Sequence, residues 1–451
     1  MPIRRVPGSD VEYFLISYDA DGRERPEDDG TLLSRRLIDL VGKASSGITD
    51  VFLTSHGWKG DMKAAVEQYD SWIGAMAGLQ RDRDYAAKRR PGFKPLIVGL
   101  HWPSLPFGDE ELADDQSATP MDREVNAYAN RIADTPTARD AIRSILETAK
   151  AGNHNDTIDS GMKSAYDTLF KESGLGTGDV GSAPDAEQEG WDPQRIVDEE
   201  KRDDAADGVD GQEQKSEGGF FASLKEHLLS PLRQASFWMM KRRARIFGET
   251  GAHELLGAMQ QAAIDAKLDT RFHLMGHSFG CIVVSATIAG AKSSKPVRKP
   301  IDSLFLVQGA FSIWAYAPDI PYATGTAGYF NPIVKNGLVS GPIVTTQSSF
   351  DRAVGRYYPR GAQVRKQLVL VDTPYPKYGG VGTFGIQGMP STPETPKIRV
   401  ATAPYGFKNG NIYNIDSSRI INVGAWPSGA HSDIAHPEVA HIFWEASLTG
   451  L

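Results

Sequence analysis

The sequence holds a single cysteine, Cys281, so no internal disulfide framework can staple the chain together. It contains no run of 18 apolar residues, hence no stretch that reads as a membrane-spanning helix. Its opening residues, MPIRRVPGSDVEYFLISYDA, lack the apolar centre of a secretory signal. The expected location is therefore cytoplasmic, and signal-independent export is compatible with the same observation. There is no internal repeat, and there is no excess of positive charge. A net charge of −8 argues against nucleic acid as the main partner. What is present is ordinary for a soluble globular protein: 451 residues, 40% hydrophobic and 24% charged. That length suits one large α/β domain carrying an insertion, or two to three domains.

Strand and helix patterns alternate in the first hundred residues. Val11 to Ser17 (VEYFLIS), Asp50 to Ser55 (DVFLTS) and Pro95 to His101 (PLIVGLH) are rich in β-forming residues. Between them, Leu33, Leu37 and Leu40 recur at helical spacing, as do Val66, Tyr69, Ile73 and Met76. After residue 250 the pattern resumes. A helix carries Leu255, Met259 and Ala262, and strands follow at Phe272 to Met275, Ser303 to Gln308, Pro342 to Thr346 and Arg419 to Val423. A terminal helix covers Pro437 to Ser447, and residues 374 to 396 read as irregular. Strands alternating with helices predict βαβ units and a mostly parallel central sheet with helices on both faces.

The order is broken between residues 106 and 249, which separate a first core segment (1–105) from a second (250–451). Arg123 to Leu169 has room for two polar helices. Residues 175–217 carry fourteen acidic against four basic side chains and no hydrophobic periodicity, so disorder is expected there. The remainder of the chain is slightly positive, and the acidity says little about a substrate. Phe221, Leu224 and Leu228 then make one helical stripe, and Ser230-Pro231 suits a helix start. The following segment sets Phe237, Trp238, Met239 and Met240 beside Lys241, Arg242, Arg243 and Arg245. Such a helix can be core with a solvated basic face, a lid over a pocket, or a surface that touches lipid.

The stretch Arg271 to Gly290, RFHLMGHSFGCIVVSATIAG, organises the rest. A short apolar strand runs into Gly276-His277-Ser278-Phe279-Gly280, of the form G-x-S-x-G, and a helix of small residues (Ala286, Ala289, Gly290) follows. A turn of this kind holds a serine at a strained strand-to-helix corner, where the free N–H groups and partial positive charge of the helix start can hold an oxyanion. Upstream, the strand Asp50 to Ser55 runs directly into His56-Gly57-Trp58. These segments resemble the nucleophile elbow and oxyanion loop of the α/β-hydrolases. The resemblance spans most of the chain outside the insertion. It implies Ser278 as nucleophile, the backbone amides of Trp58 and Phe279 as the oxyanion hole, and Gly57 as the residue that permits close approach. His56 would brace the loop, and His56, Gly57 and His277 would lie around the substrate pocket. His101 and Trp102 end a strand at the carboxyl edge of the sheet, where ligands bind, and are pocket candidates as well, with core packing the equal reading of Trp102.

A serine hydroxyl needs a base within hydrogen-bond reach and a carboxylate to fix that base's tautomer. Three histidines lie downstream of the elbow: His431, His436 and His441. In the family's chain order of nucleophile, acid and histidine, His431 takes the base position, in a loop past the last strand, with His436 second. Asp351 follows the preceding strand and is the expected acid, although an aspartate there also suits a helix N-cap. Asp319 is the rival, and Asp433 lies too near His431 in sequence. The spacing of His431, Asp433, His436 and His441 matches no familiar metal-ligand pattern, and the resemblance implies neither a metal nor an organic cofactor. The resemblance implies a serine esterase acting on a small-molecule or lipid ester. Lipase or phospholipase activity, with peripheral membrane contact, is the narrower version. A catalytically silent hydrolase fold used for binding is the alternative.

Overall fold

A computed structural model describes residues 3–57, 62–104, 119–151, 157–175, 191–206, 227–357, 373–424 and 429–451. Eight strands form one sheet: β1 (Ile3–Arg5), β2 (Glu12–Ser17), β3 (Asp50–Ser55), β4 (Pro95–His101), β5 (Arg271–His277), β6 (Ser303–Val307), β7 (Ile343–Gln347) and β8 (Ile412–Asp416). Their spatial order is β1-β2-β4-β3-β5-β6-β7-β8, and only the edge strand β1 pairs antiparallel. The fold class is thus α/β, with a mostly parallel sheet. Strand β5 is central and buried along its whole length, its polar Arg271, His273 and His277 included. Alternation divides the strand residues between two faces. Phe52, Ile97, Met275, Phe305 and Val344 belong to a core shared with helices Met62–Gly78 and Pro437–Ser447. Phe443 of the terminal helix meets Phe52 edge-on at 5.5 Å and stacks on Phe305 at 5.6 Å. Val51, Leu53, Leu274 and Leu306, equally buried, point to the other side.

Helix Gly280–Ala289 follows β5 directly and is buried on every side. Its approach to the sheet is set by Gly280. A Cβ at that position would overlap the carbonyl oxygen of Ser55 and come within 2.6 Å of the carbonyl oxygen of His56.

Two compact units divide the chain. One comprises residues 1–104 with 243–451 and includes 182–184; the other comprises 105–181 and 185–242. In the first unit, where the chain leaves and where it returns are adjacent: the guanidinium of Arg243 donates to the carbonyl of Pro103 at 3.2 Å. The second unit contains helices Pro120–Arg131, Pro136–Lys150 and Ser160–Ser173, one more than the sequence suggests, with Thr119, Thr135 and Asp159 as N-caps. Among the described residues no helix is long and apolar enough to cross a membrane.

Two sequence expectations are corrected. The last strand is Ile412–Asp416, not Arg419 to Val423. The amides of Ile420 and Ile421 instead turn back onto the Ser417 carbonyl, so the apolar RIINV stretch begins in a turn. Within the acidic stretch 175–217, Pro193–Ala206 is a helix rather than disordered. Asp192 accepts from the Gln194 amide at 3.0 Å, Trp191 stacks on Phe170 at 4.5 Å, and Ile196 and Val197 are buried. Residues 176–190 and 207–226, with Phe221 and Leu224, lie outside the described residues. In helix Ser230–Phe247, Phe237, Trp238 and Met240 are buried.

The backbone contact at Gly280 yields a paired stability test. Gly280→Ala should destabilise the chain by about 3 kcal/mol in urea unfolding, because rigid backbone lies on the far side of the added methyl. Gly257→Ala, in helix His253–Asp265 with nothing within 4 Å of a built Cβ, should stabilise it by about 0.5–1 kcal/mol. Equal effects at the two positions would contradict the close approach.

Candidate active site

Parallel pairing brings the carboxyl ends of β4, β3, β5, β6 and β7 to one edge of the sheet, in that order. Ser278 follows β5 directly and is held between strands: its amide donates to Val307 at 3.0 Å, and its carbonyl accepts from Ala310 at 3.2 Å. Its φ is +55°. A non-glycine residue in the left-handed region costs about 1–2 kcal/mol, and strain of this kind gathers where geometry matters to chemistry. Gly57, at the end of the β3 loop, passes so close that a Cβ there would sit 2.7 Å from the Ser278 Cβ.

Three side chains join in a directional chain. Ser278 Oγ lies 2.7 Å from His431 Nε2, and His431 Nδ1 lies 2.8 Å from Asp351 Oδ2. With Asp351 ionised, Nδ1–H donates to the carboxylate, and Nε2 is left to accept the serine proton. Asp351 is buried, and its two oxygens divide their work. Oδ2 takes His431, while Oδ1 accepts the Val354 amide at 3.0 Å, capping helix Arg352–Tyr357. The cap and the hydrogen bond to His431 are therefore made by one residue. The loops that carry Asp351 and His431 are tied together by a bridge between Asp351 and Gly429 and by the Ala430 amide donating to Phe350 at 3.0 Å.

The competing residues are occupied elsewhere. Asp319 is exposed and accepts the Gly325 amide at 2.7 Å in a surface turn. Asp433 receives the amides of Asn422 and Val423 and pairs with His436 at 2.7 Å, which fastens the loop that precedes His431. His441 bonds the buried Asp82 at 3.0 Å. Cys281 points its thiol at the Gly276 carbonyl, and burial pushes its pKa well up. Among the described residues no group of three or more His, Cys, Asp and Glu side chains gathers as a metal site.

The remaining expected site residues that are described are buried and hydrogen-bonded around these three side chains. His277 Nε2–H donates to the His431 carbonyl at 2.9 Å, and its Nδ1 accepts from Gln68 at 2.7 Å. His56 Nδ1–H donates to the Gly57 carbonyl at 2.9 Å, which leaves Nε2 to accept from His101 at 3.1 Å. The His56 ring stacks on Trp102 at 5.7 Å, and the Trp102 indole donates to the His56 carbonyl at 3.3 Å. Burial, then the neighbouring His101, lowers the pKa of His56 to about 3. Burial, then His431, lowers that of His277 to about 3. Burial, then Arg25, lowers that of His101 to about 4. Phe279 is the N-cap of helix Gly280–Ala289, beside the serine, where helix-start amides favour negative charge. The other expected oxyanion donor, Trp58, lies outside the described residues.

Two residues of this network carry no signal in the sequence. Gln68 lies on helix Met62–Gly78 and reaches His277 across 209 positions. Gln308 stands just past strand β6 and donates to Asp351 Oδ2 at 2.9 Å. No protein-family model, curated protein or solved structure matches the chain.

The three depressed histidines set a pH dependence. Each has a folded pKa below the ordinary value near 6.5, so the unfolded chain binds more protons between about pH 3 and 6.5. Their contribution to stability is complete above pH 6.5 and is lost as the pH falls toward 3. Melting temperature should therefore drop on acidification below pH 6.5, and His277→Gln should flatten that slope. An unchanged slope in the variant would show that His277 is not held neutral.

Proposed function

We propose that this chain is a serine hydrolase of the α/β-hydrolase type that cleaves carboxylic esters through an acyl-enzyme. The observation that carries the reading is the hydrogen-bonded chain Ser278–His431–Asp351, with the serine at φ +55° between a strand and a helix start. The order of the three along the sequence, nucleophile then acid then histidine, supports the same reading.

In this mechanism His431 Nε2 takes the Ser278 proton as Oγ attacks the ester carbonyl. Asp351 holds the imidazole in the tautomer that can accept that proton, and stabilises the imidazolium that results. The carbonyl oxygen, now negative, turns to the helix start, where the Phe279 amide is the expected donor. His431 returns the proton to the leaving alcohol. Water, activated by the same imidazole, then cleaves the acyl-serine and restores the enzyme. Small-molecule and lipid esters fit this chemistry equally, and neither a metal nor an organic cofactor has a part in it.

The test is hydrolysis of p-nitrophenyl esters from short to long acyl chains, with fluorophosphonate labelling in parallel. Ser278→Ala and His431→Ala should each lower turnover by about 10⁶-fold, and Ser278→Ala should abolish labelling. Asp351→Asn should lower turnover by about 10⁴-fold, whereas Asp319→Asn should leave it within twofold. The chain-length optimum separates an esterase from a lipase. Folded wild-type protein that neither labels nor turns over would overturn the reading in favour of a binding protein.

A further inference from the structure

We infer that Gln308 is a positioning residue for Asp351: its side-chain amide aims the carboxylate oxygen that holds His431. For its effect on turnover the inference rests on the hydrolase reading; the hydrogen-bond geometry does not.

The first observation is a conformational one. Three described non-glycine residues have positive φ: Lys267, Ser278 and Gln308, the last at +47°. Ser278 and Gln308 stand just past the paired ends of the adjacent strands β5 and β6, where His277 faces Val307. A glycine at 308 would relieve the backbone, so what recommends glutamine is its side chain.

That side chain is fully buried, and every polar position on it is used. Nε2 donates to Asp351 Oδ2 at 2.9 Å and to the Gly382 carbonyl at 3.3 Å. Oε1 accepts from the Thr346 hydroxyl at 3.1 Å, and that hydroxyl oxygen in turn accepts the Gln308 backbone amide at 3.1 Å. Thr346 thereby fixes which end of the amide faces the carboxylate, because only Oε1 can accept its proton. The outcome is a single Asp351 oxygen receiving two donors, Gln308 and His431 Nδ1, while the other oxygen is held by the Val354 amide. Gly382 closes the remaining side, since a Cβ there would lie 2.9 Å from Oδ2. The carboxylate is therefore fixed in rotation as well as in place. Loss of the Gln308 donor frees Oδ2 to swing out of line with the imidazole, and the tautomer and tilt of His431 loosen with it.

The test uses the full chain and two variants: Gln308→Met, which keeps the volume and removes the donor, and Gln308→Gly, which also relieves the backbone. The first readout needs no substrate. It is the low-field proton resonance of His431 Nδ1–H in ¹⁵N-histidine-labelled protein, assigned by its loss in His431→Gln. In both variants the signal should move upfield or broaden, in protein that still melts cooperatively. The second is steady-state kinetics on the best p-nitrophenyl ester, where kcat should fall about 10–100-fold with KM within twofold. An unmoved resonance in either folded variant would overturn the inference, as would an unchanged kcat where turnover is measurable. If the wild type hydrolyses no ester, the hydrolase reading fails, and the resonance alone decides the role of Gln308.

Discussion

Backbone lies against backbone at the corner between β5 and the helix that follows it, and the rest of the site depends on that contact. Gly280 lets the helix start settle onto the carbonyls of Ser55 and His56, and Gly57 lets the β3 loop pass over Ser278. With no room to relax, Ser278 keeps its positive φ, and its hydroxyl stands at a fixed point beyond the sheet edge. A hydrogen-bond chain can be built to a fixed point. His431 arrives from a loop past β8 and meets the serine at 2.7 Å, and Asp351, from the loop past β7, meets the far side of the imidazole at 2.8 Å. A helix start lifted by even one methyl would misalign every later link.

Electrostatic quiet around the serine has a clear cause. His56, His101 and His277 are all held below their ordinary pKa, with burial the main reason for each. Neutral imidazoles can serve as directional donors and acceptors without adding positive charge that would compete for Asp351. His277 shows the use of this arrangement. It sits beside Ser278 in sequence but spends its Nε2–H on the carbonyl of His431, so the Ser278 turn and the His431 loop are tied by a second link.

Legibility in the sequence followed the range of the forces involved. The elbow could be read because strand, turn and helix are contiguous. Strands β3 and β4 could be read because buried parallel strands are continuous apolar runs. His431 and Asp351 could be nominated from the chain order that the resemblance implies and from their positions after late strands, and the structure brings both into one hydrogen-bonded chain with Ser278. The last strand could not, since IYNID and RIINV have similar composition, and only the Ser417 turn separates them. Helix Pro193–Ala206 was hidden in an acidic stretch because the partner on which Trp191 stacks beside it, Phe170, lies outside that stretch. Gln308 was invisible for the same reason: its partner Asp351 is 43 positions away, and an amide at a strand end has no local signature.

The hydrogen bond from Arg243 to the Pro103 carbonyl closes the stem from which residues 105–242 depart. Bringing two distant chain points together has an entropic penalty that rises only with the logarithm of the intervening length. Phe247 stacks on Trp102 at 6.4 Å and packs on Tyr18 at 4.8 Å, so the first unit already holds those points near one another, whatever lies between. The first unit is thus nearly indifferent to how long the excursion is. Its sequence can drift, lengthen or be exchanged with little tax on the sheet, and selection on that segment is free to follow its own folding and whatever task it acquires.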